Sequence, residues 1–127
     1  MDVVTKTLDD NKAQDVVVIE LTGKSDIADY LVVASGTSGR QVVGMAEHLR
    51  ASIKHAGVAR VGVEGMSQGD WVLVDGGDVI IHLFRPEVRA FYNIEKMWGA
   101  EMPASAQALA DARAEAEAEA RLSGSPI

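Results

Sequence analysis

Residues 71–84, WVLVDGGDVIIHLF, decide the fold class. Two apolar runs rich in β-branched residues flank an Asp-Gly-Gly-Asp sequence, a pattern typical of a β-hairpin. A two-residue turn at Gly76 and Gly77 predicts a register in which Asp75 faces Asp78. Like charges directly opposite each other are unfavourable in a sheet, so this pair would cost stability unless a cation or a basic partner offsets it.

Because side chains alternate between the faces of a strand, the hairpin has two predicted faces. The first is a uniform aliphatic core face, formed by Val72, Val74, Val79, Ile81 and Leu83. The second combines aromatic, aliphatic and acidic side chains, namely Trp71, Leu73, Asp75, Asp78, Ile80 and His82. We interpret the second face as a docking surface with an apolar floor and an acidic rim, since Trp is enriched at interface hot spots. The alternative is that a helix covers this face, so that Trp71 belongs to the core and the two Asp form a solvated turn.

The elements around the hairpin predict an α/β fold with a mixed five-stranded sheet flanked by helices. Helices are predicted over residues 1–10 and 42–56, and a last helix begins at Pro86. Its buried stripe is formed by Val88, Phe91, Ile94 and Trp98. The other predicted strands span residues 15–21, 30–34 and 61–63. If the two strands that flank the long helix are parallel neighbours, their crossover should be right-handed.

Composition limits the possible functions. The chain has 127 residues, a net charge of −7 and no cysteine, which excludes disulfides and thiolate chemistry. An acidic surface repels phosphate, so we expect little direct contact with nucleic acid and a basic protein partner instead. No apolar run reaches membrane-spanning length and residues 1–10 do not resemble a signal peptide, so we expect a cytoplasmic protein without membrane contact.

The chain divides into a predicted domain over residues 1–100 and a tail over residues 101–127. Alanine occupies every even position from 104 to 120 of the tail. A period of two spreads Ala around a helix and leaves no apolar stripe. We therefore expect the tail to be solvated and partly helical or disordered.

Catalytic or ligand-binding residues are not convincing in this sequence. Residues 36–39 (GTSG) lie between a strand and a helix, where backbone N–H groups could hold a phosphate, but Ser38 is better explained as a helix cap. His48 and His55 lie seven residues apart without further ligands at metal-site spacing, so we interpret them as solvated helix residues. We expect no catalytic residue, no metal and no cofactor.

Several motifs, in this order and spacing, closely resemble the ribosomal silencing factor family, also called the Iojap family. They are residues 26–30 (DIADY), 36–42 (GTSGRQV), 62–65 (GVEG), 71–75 (WVLVD), 77–82 (GDVIIH) and 91–98 (FYNIEKMW). The resemblance covers about residues 3–99 and leaves the tail outside. It implies a fold similar to nucleotidyltransferases without their catalytic residues, and a homodimer. It also implies binding to the large ribosomal subunit through the ribosomal protein numbered fourteen, which would block joining of the small subunit and lower translation when nutrients are short.

The contact region that the resemblance implies falls on the second face of the hairpin, at Trp71, Asp75, Asp78 and His82. Replacing Trp71 by Ala, or Asp78 by Lys, is therefore expected to weaken binding and leave the fold intact. One position departs from the family pattern, since members often carry a large apolar residue where this chain has Gly76. A contact from the turn to the partner would then be missing.

The second hypothesis is a metal-dependent enzyme of nucleotidyltransferase type, in which carboxylates hold Mg²⁺ against nucleotide phosphates. Thr37 and Ser38 are similar to the turn that such enzymes have before a helix. The closely spaced acidic pair expected on the next strand is absent, because that strand carries Glu64 alone. The pattern therefore favours a binding protein.

Overall fold

A computed structural model of the chain describes residues 1–22, 28–67 and 69–88. Two α-helices and five β-strands follow one another in these ranges. In chain order they are α1 (Asp2–Asp10), β1 (Gln14–Glu20), β2 (Tyr30–Ser35), α2 (Gly39–His55), β3 (Gly62–Glu64), β4 (Trp71–Asp75) and β5 (Val79–Phe84). The predicted mixed sheet with flanking helices is confirmed.

The strands form one sheet in the order β1-β2-β5-β4-β3. β2 and β5 are parallel, and the other neighbouring pairs are antiparallel. The two strands that flank α2 in the chain, β2 and β3, are therefore not neighbours, so the condition for the predicted crossover is not met. The parallel partner of β2 is β5, which the chain reaches only after α2, β3 and β4.

Helix α2 packs its apolar stripe on one face of the sheet, called here the helix face. The stripe consists of Val42, Met45, Ala46, Leu49 and Ile53, all at most 4% exposed. It meets the aliphatic face of the hairpin, which is the predicted core face and is buried throughout. Each fully buried Val, Leu, Ile or Met side chain of this layer contributes ~1.5–3 kcal/mol, so the layer is a main source of stability.

Helix α1 packs beside α2 and adds Val4 and Leu8 to the same core. On its exposed side the Lys6 ammonium lies 2.8 Å from the Asp10 carboxylate, one helical turn away. The hydrogen bond to Asp10 and the charge of Asp10 raise the pKa of Lys6 above its ordinary value of 10.5. The pair is fully solvated and serves α1 locally.

Edge strand β1 contains a bulge, because Gln14 pairs with Ser35 whereas Val17 pairs with Val33. Two residues of β1 thus lie opposite one residue of β2, and Asp15 takes a left-handed backbone conformation with φ of +49°. A bulge of this kind bends an edge strand and interrupts its ladder.

The predicted last helix lies mostly outside the described residues. Residues 86–88 have helical backbone, and Val88 is buried as predicted. The other residues of the predicted stripe and the tail over residues 101–127 lie outside the described ranges. None of the described helices is long and apolar enough to cross a membrane.

Candidate functional site

The β4–β5 hairpin pairs in a different register from the predicted one. Trp71 lies opposite Phe84, and Asp75 lies opposite Ile80. The Gly76 N–H donates to the Val79 carbonyl at 2.9 Å, so the two central turn residues are Gly77 and Asp78. The prediction of a Gly76-Gly77 turn is wrong.

The positive φ explains where the turn lies. Gly77 has a φ of +87°, which the first central position of a type II′ turn requires and which glycine adopts without strain. Asp78 follows it and has no carboxylate opposite, so the predicted cross-strand repulsion between Asp75 and Asp78 is also wrong. The register moves by two residues along β5, and each side chain keeps its predicted face because the period of a strand is two.

Both carboxyl residues of the turn are anchored through hydrogen bonds. The Asp75 carboxylate accepts the Gly77 N–H at 3.0 Å. The Asp78 carbonyl accepts the N–H groups of Asp29 and Tyr30 at 2.8 Å and 3.1 Å, which ties the turn to the start of β2. The Asp78 side chain is exposed and that of Asp75 is half-buried. Two carboxylates are thus presented from a fixed backbone at one end of the sheet.

Gly76 is buried and fits closely against the helix face. A Cβ atom at this position would lie 3.1 Å from Val79 Cγ1 and 3.2 Å from Ile53 Cδ1. A side chain here would therefore enter the packing between the hairpin and the end of α2. The absence of a side chain at Gly76 thus lets Ile53 approach the turn.

The other four residues of the predicted site are buried. Trp71 and His82 are 0% exposed, Leu73 is 2% exposed and Ile80 is 3% exposed. They belong to, or lie beside, a second core cluster on the face of the sheet opposite α2. The burial of Trp71 supports its interpretation as a core residue. The predicted apolar floor, which includes Leu73 and Ile80, is covered in the structure.

A polar contact is enclosed in this second core. The Trp71 indole Nε1–H donates to His82 Nδ1 at 2.9 Å. Because Nδ1 accepts this hydrogen bond, the neutral imidazole carries its proton on Nε2. The bond fixes the orientation of both rings, since a buried indole N–H requires an acceptor.

Phe84 completes an aromatic group that the sequence analysis did not place in the site. Its ring lies 5.0 Å from that of Trp71, with a tilt of 39°, and is stacked on His82 at 6.1 Å. The signal was present in the sequence, because Phe84 is two residues beyond His82 and alternation places both on one face. With this group buried, replacement of Trp71 by Ala is expected to leave a cavity that costs ~3–5 kcal/mol, so this variant would report on stability as well as on binding.

The turn before α2 is arranged as a helix cap. Ser38 is the N-cap, and its Oγ accepts the Gln41 N–H at 3.1 Å, as predicted. Gln41 Oε1 accepts both the N–H and the hydroxyl of Thr37 at 2.6 Å. The Thr37 backbone donor that a phosphate would use is thus already hydrogen-bonded within the helix end, and this observation does not favour the enzyme hypothesis.

The two histidines of α2 are exposed, as predicted. His48 Nδ1 is hydrogen-bonded to Asn11 Oδ1, which connects α2 to the end of α1. His55 lies in a groove of ≈630 Å³ between the two helices. Within residues 1–22, 28–67 and 69–88, no three side chains of the types His, Cys, Asp or Glu are grouped to hold a metal ion.

The fold and the hairpin define an α/β protein with one mixed sheet, a buried aromatic face and an acidic turn. The chain matches the family model described as "Ribosomal silencing factor during starvation" over residues 1–125, so the match extends into the Ala-rich tail. The chain belongs to this family, as the motifs indicated.

Individual relatives agree with the family match. A ribosomal silencing factor of Zymomonas mobilis is 52% identical over 111 residues, which are 84% of either chain. A crystal structure of a Chromobacterium violaceum protein superimposes with a TM-score of 0.71 at 38% identity, covering 80% of this chain and 85% of that one. A mouse protein, "Mitochondrial assembly of ribosomal large subunit protein 1", is 36% identical over 77% of this chain and 44% of its own length.

Proposed function

We propose that this chain binds the large ribosomal subunit through the ribosomal protein numbered fourteen and blocks joining of the small subunit. Translation would fall as a result when nutrients are short. The chain acts as a cytoplasmic binding protein and not as an enzyme, and it forms a homodimer. Support comes from the family description, which names silencing during starvation, and from the mouse relative, whose name refers to the large subunit.

The observation that carries the proposal is the pair of carboxylates at the hairpin turn. Asp75 and Asp78 are the accessible members of the predicted site, and the hydrogen bonds of Gly77, Asp29 and Tyr30 hold their backbone in place. Proteins that bind ribosomal RNA carry basic surfaces. A fixed acidic turn therefore complements a ribosomal protein better than it complements the RNA itself.

The buried residues have a different role in this proposal from that of the two carboxylates. Trp71, Leu73, Ile80 and His82 form the support under the hairpin and set the position from which Asp75 and Asp78 reach the partner. Positioning from rigid elements keeps a contact geometry accurate. Substitutions of the support are expected to act through stability. Substitutions of the exposed Asp78 carboxylate are expected to act on binding alone, whereas those of Asp75 also remove its hydrogen bond to the Gly77 N–H.

The test is co-sedimentation of the purified protein with isolated large subunits, followed by addition of small subunits. The Asp78→Lys variant turns an attraction into a repulsion, which we expect to weaken binding by roughly 1–2 kcal/mol, about 5–30-fold in Kd. Glu47→Lys is the matched control, because Glu47 is exposed on α2 and undergoes the same change of charge. Joined ribosomes should decrease with the parent protein and with this control, and less with Asp78→Lys.

Two results would contradict the proposal. Failure of the parent protein to sediment with large subunits at low salt would exclude the ribosomal partner. Equal binding by the parent, Asp78→Lys and Asp75→Asn proteins would exclude the hairpin turn as the contact. A falling affinity with rising salt is expected for the parent, since solvated charges are screened.

A further inference from the structure

Helix α2 and the loop after it have a charge opposite to that of the rest of the described chain. Residues 39–60 carry four Lys or Arg side chains and one Asp or Glu side chain. The other described residues carry three Lys or Arg side chains and eleven Asp or Glu side chains. The net charge of −7 is therefore an average over a basic surface and an acidic one, and the field at a surface depends on how the charges are distributed.

The cations of α2 lie along one flank of the helix. At 3.6 residues per turn, Arg40, Arg50 and Lys54 fall within about 80° of one another around the helix axis and extend over about 21 Å along it. All three are exposed. Helix α1 packs beside the other flank of α2, where Ser52 and Ala56 line the groove between the helices. Arg40, Arg50 and Lys54, called here the basic flank, thus face away from α1.

Ion pairs do not neutralise the basic flank. Within the part of the chain that the structure describes, the ion pairs join Lys6 to Asp10 and Arg85 to Glu87. Glu47 is the one carboxyl residue of α2 and lies on the same flank, but it is outside ion-pair distance of the three cations. The charges of the basic flank are therefore available to an anionic partner.

The basic flank begins beside the acidic hairpin turn. Ile53 packs against this turn, since a Cβ atom at Gly76 would lie 3.2 Å from Ile53 Cδ1. Lys54 is the next residue of α2, and Asp75 and Asp78 flank Gly76 in the hairpin. A partner that receives the two carboxylates therefore lies close to whatever α2 contacts.

We propose that the basic flank of α2 binds the phosphate backbone of RNA, beside the protein contact made by the hairpin turn. Guanidinium and ammonium groups recognise phosphate oxygens through charge-assisted hydrogen bonds. Gly44 and the exposed Ala51 lie next to the flank and leave room for a backbone to approach the helix. That this RNA is ribosomal rests on the proposed function, whereas the affinity of α2 for an RNA backbone does not.

An RNA backbone fits this surface better than an acidic protein segment does. Each solvated ion pair with a flexible acidic segment contributes little. Each phosphate contact, in contrast, releases counterions that are condensed on the nucleic acid. Because phosphate contacts carry no sequence information, binding is expected to be independent of the RNA sequence.

The first test measures binding of the purified protein to a fluorescein-labelled RNA duplex by fluorescence anisotropy at low salt. With three phosphate contacts, log Kd should rise with log salt concentration with a slope of about 3. Arg50→Gln and Lys54→Gln should each weaken binding roughly 3–10-fold and lower this slope by about 1. Glu47→Lys adds a cation to the flank and should lower the Kd, in line with its retained binding to large subunits.

The matched control for the loss of one positive charge is Lys6→Gln. Lys6 lies on α1 across the groove from α2, and its ammonium is paired with Asp10 at 2.8 Å. We expect this variant to bind the duplex with nearly the Kd of the parent. Arg, Lys and Gln have similar helix propensities, so all these variants should stay folded, which far-UV circular dichroism verifies.

Competition distinguishes RNA from an acidic protein segment. At an equal concentration of negative charges, unlabelled RNA duplex should displace the labelled duplex, and poly-glutamate should displace much less of it.

The second test locates the contact on the ribosome and uses the lack of cysteine in the chain. An Fe(II)-EDTA group attached to the Ala51→Cys variant generates hydroxyl radicals beside the basic flank, and these cleave nearby RNA. Val18→Cys is the control, because Val18 is 44% exposed and lies on β1, the terminal strand at the opposite edge of the sheet from β3. In complexes that sediment with large subunits, we expect discrete cleavage of ribosomal RNA from Ala51→Cys and weaker cleavage at those positions from Val18→Cys.

Several outcomes would overturn the proposal. An unchanged anisotropy at low salt excludes RNA as the ligand, and equal displacement by poly-glutamate assigns the flank to acidic proteins instead. Equal effects of Arg50→Gln and Lys6→Gln exclude the basic flank as the contact. Absence of cleavage from a sedimenting Ala51→Cys complex excludes the contact on the ribosome. If the parent does not sediment with large subunits, the ribosomal proposal fails, and the duplex measurement still decides whether α2 binds RNA.

Discussion

The hydrogen bond between Trp71 and His82 makes a measurable prediction about the second core. Its donor and acceptor are 2.9 Å apart, and both residues are 0% exposed. The His82→Phe variant keeps a ring of similar size and removes the acceptor. The Trp71 N–H is then buried without this partner, which costs ~1–3 kcal/mol.

A double-mutant cycle isolates this contact from the other interactions of the two side chains. We expect Trp71→Phe to cost about 1–3 kcal/mol, because it removes the donor and part of the buried indole volume. The double variant removes donor and acceptor together and leaves neither stranded. The sum of the single effects should therefore exceed the double effect by ~1 kcal/mol or more.

Urea unfolding followed by far-UV circular dichroism gives the four free energies of unfolding at one protein concentration. Circular dichroism is preferable to fluorescence because one of the two tryptophans is replaced. A destabilisation of 1 kcal/mol in any one variant corresponds to a decrease in Tm of roughly 4 °C. Coupling below ~0.5 kcal/mol would refute the argument that this bond orients the rings of the second core.

Three further predictions concern turns and helix ends. Gly77→Ala should destabilise the protein by ~1 kcal/mol because of the positive φ of Gly77. Gly44→Ala should stabilise it by ~0.5–1 kcal/mol, since Gly44 lies inside α2 with open space around it. Thermal unfolding measures both effects, and a change of Tm in the same direction for both variants would contradict the backbone argument. Ser38→Ala should cost ~1 kcal/mol by removing the cap of α2, with Ser38→Asp as the variant that retains it, and an unchanged unfolding midpoint would argue against the cap. Because the pKa of Lys6 is raised, the Lys6–Asp10 pair contributes stability below pH 10.5, and this contribution is lost as the pH rises through the raised pKa. The unfolding midpoints of the parent and of Asp10→Asn should therefore converge at high pH. A difference that persists at high pH would have another cause.

Local patterns predicted the elements of the fold, and long-range pairing decided their arrangement. The apolar spacing along α2 and the β-branched runs identified the helix and the strands, because each signal lies within a few residues. The strand order depends on pairing between residues far apart in the chain, such as Val32 with Ile81. Nothing in the local sequence distinguishes β5 from β3 as the parallel neighbour of β2.

For the candidate site, the composition of each face was predicted and its burial was not. Alternation places Trp71 and His82 on the same face in both the predicted and the observed register, since the two differ by two residues. It does not indicate whether that face is covered. The turn was misplaced because Gly76 and Gly77 are both compatible with a hairpin, and the sequence does not indicate which of the two glycines takes the positive φ at the first central position.

The order of strands in the sheet has a consequence for synthesis on the ribosome. β2 lies between β1 and β5 in the sheet, and its parallel partner β5 ends at Phe84. While the chain is being translated, β2 can pair with β1 early, but its other edge stays open until β5 has emerged. The hairpin of β4 and β5 forms from neighbouring residues and can be complete before it docks. Docking of that hairpin, with β5 beside β2 and β4 beside β3, is therefore the step that completes the sheet. A stall before residue 84 leaves the apolar edge of β2 available for aggregation.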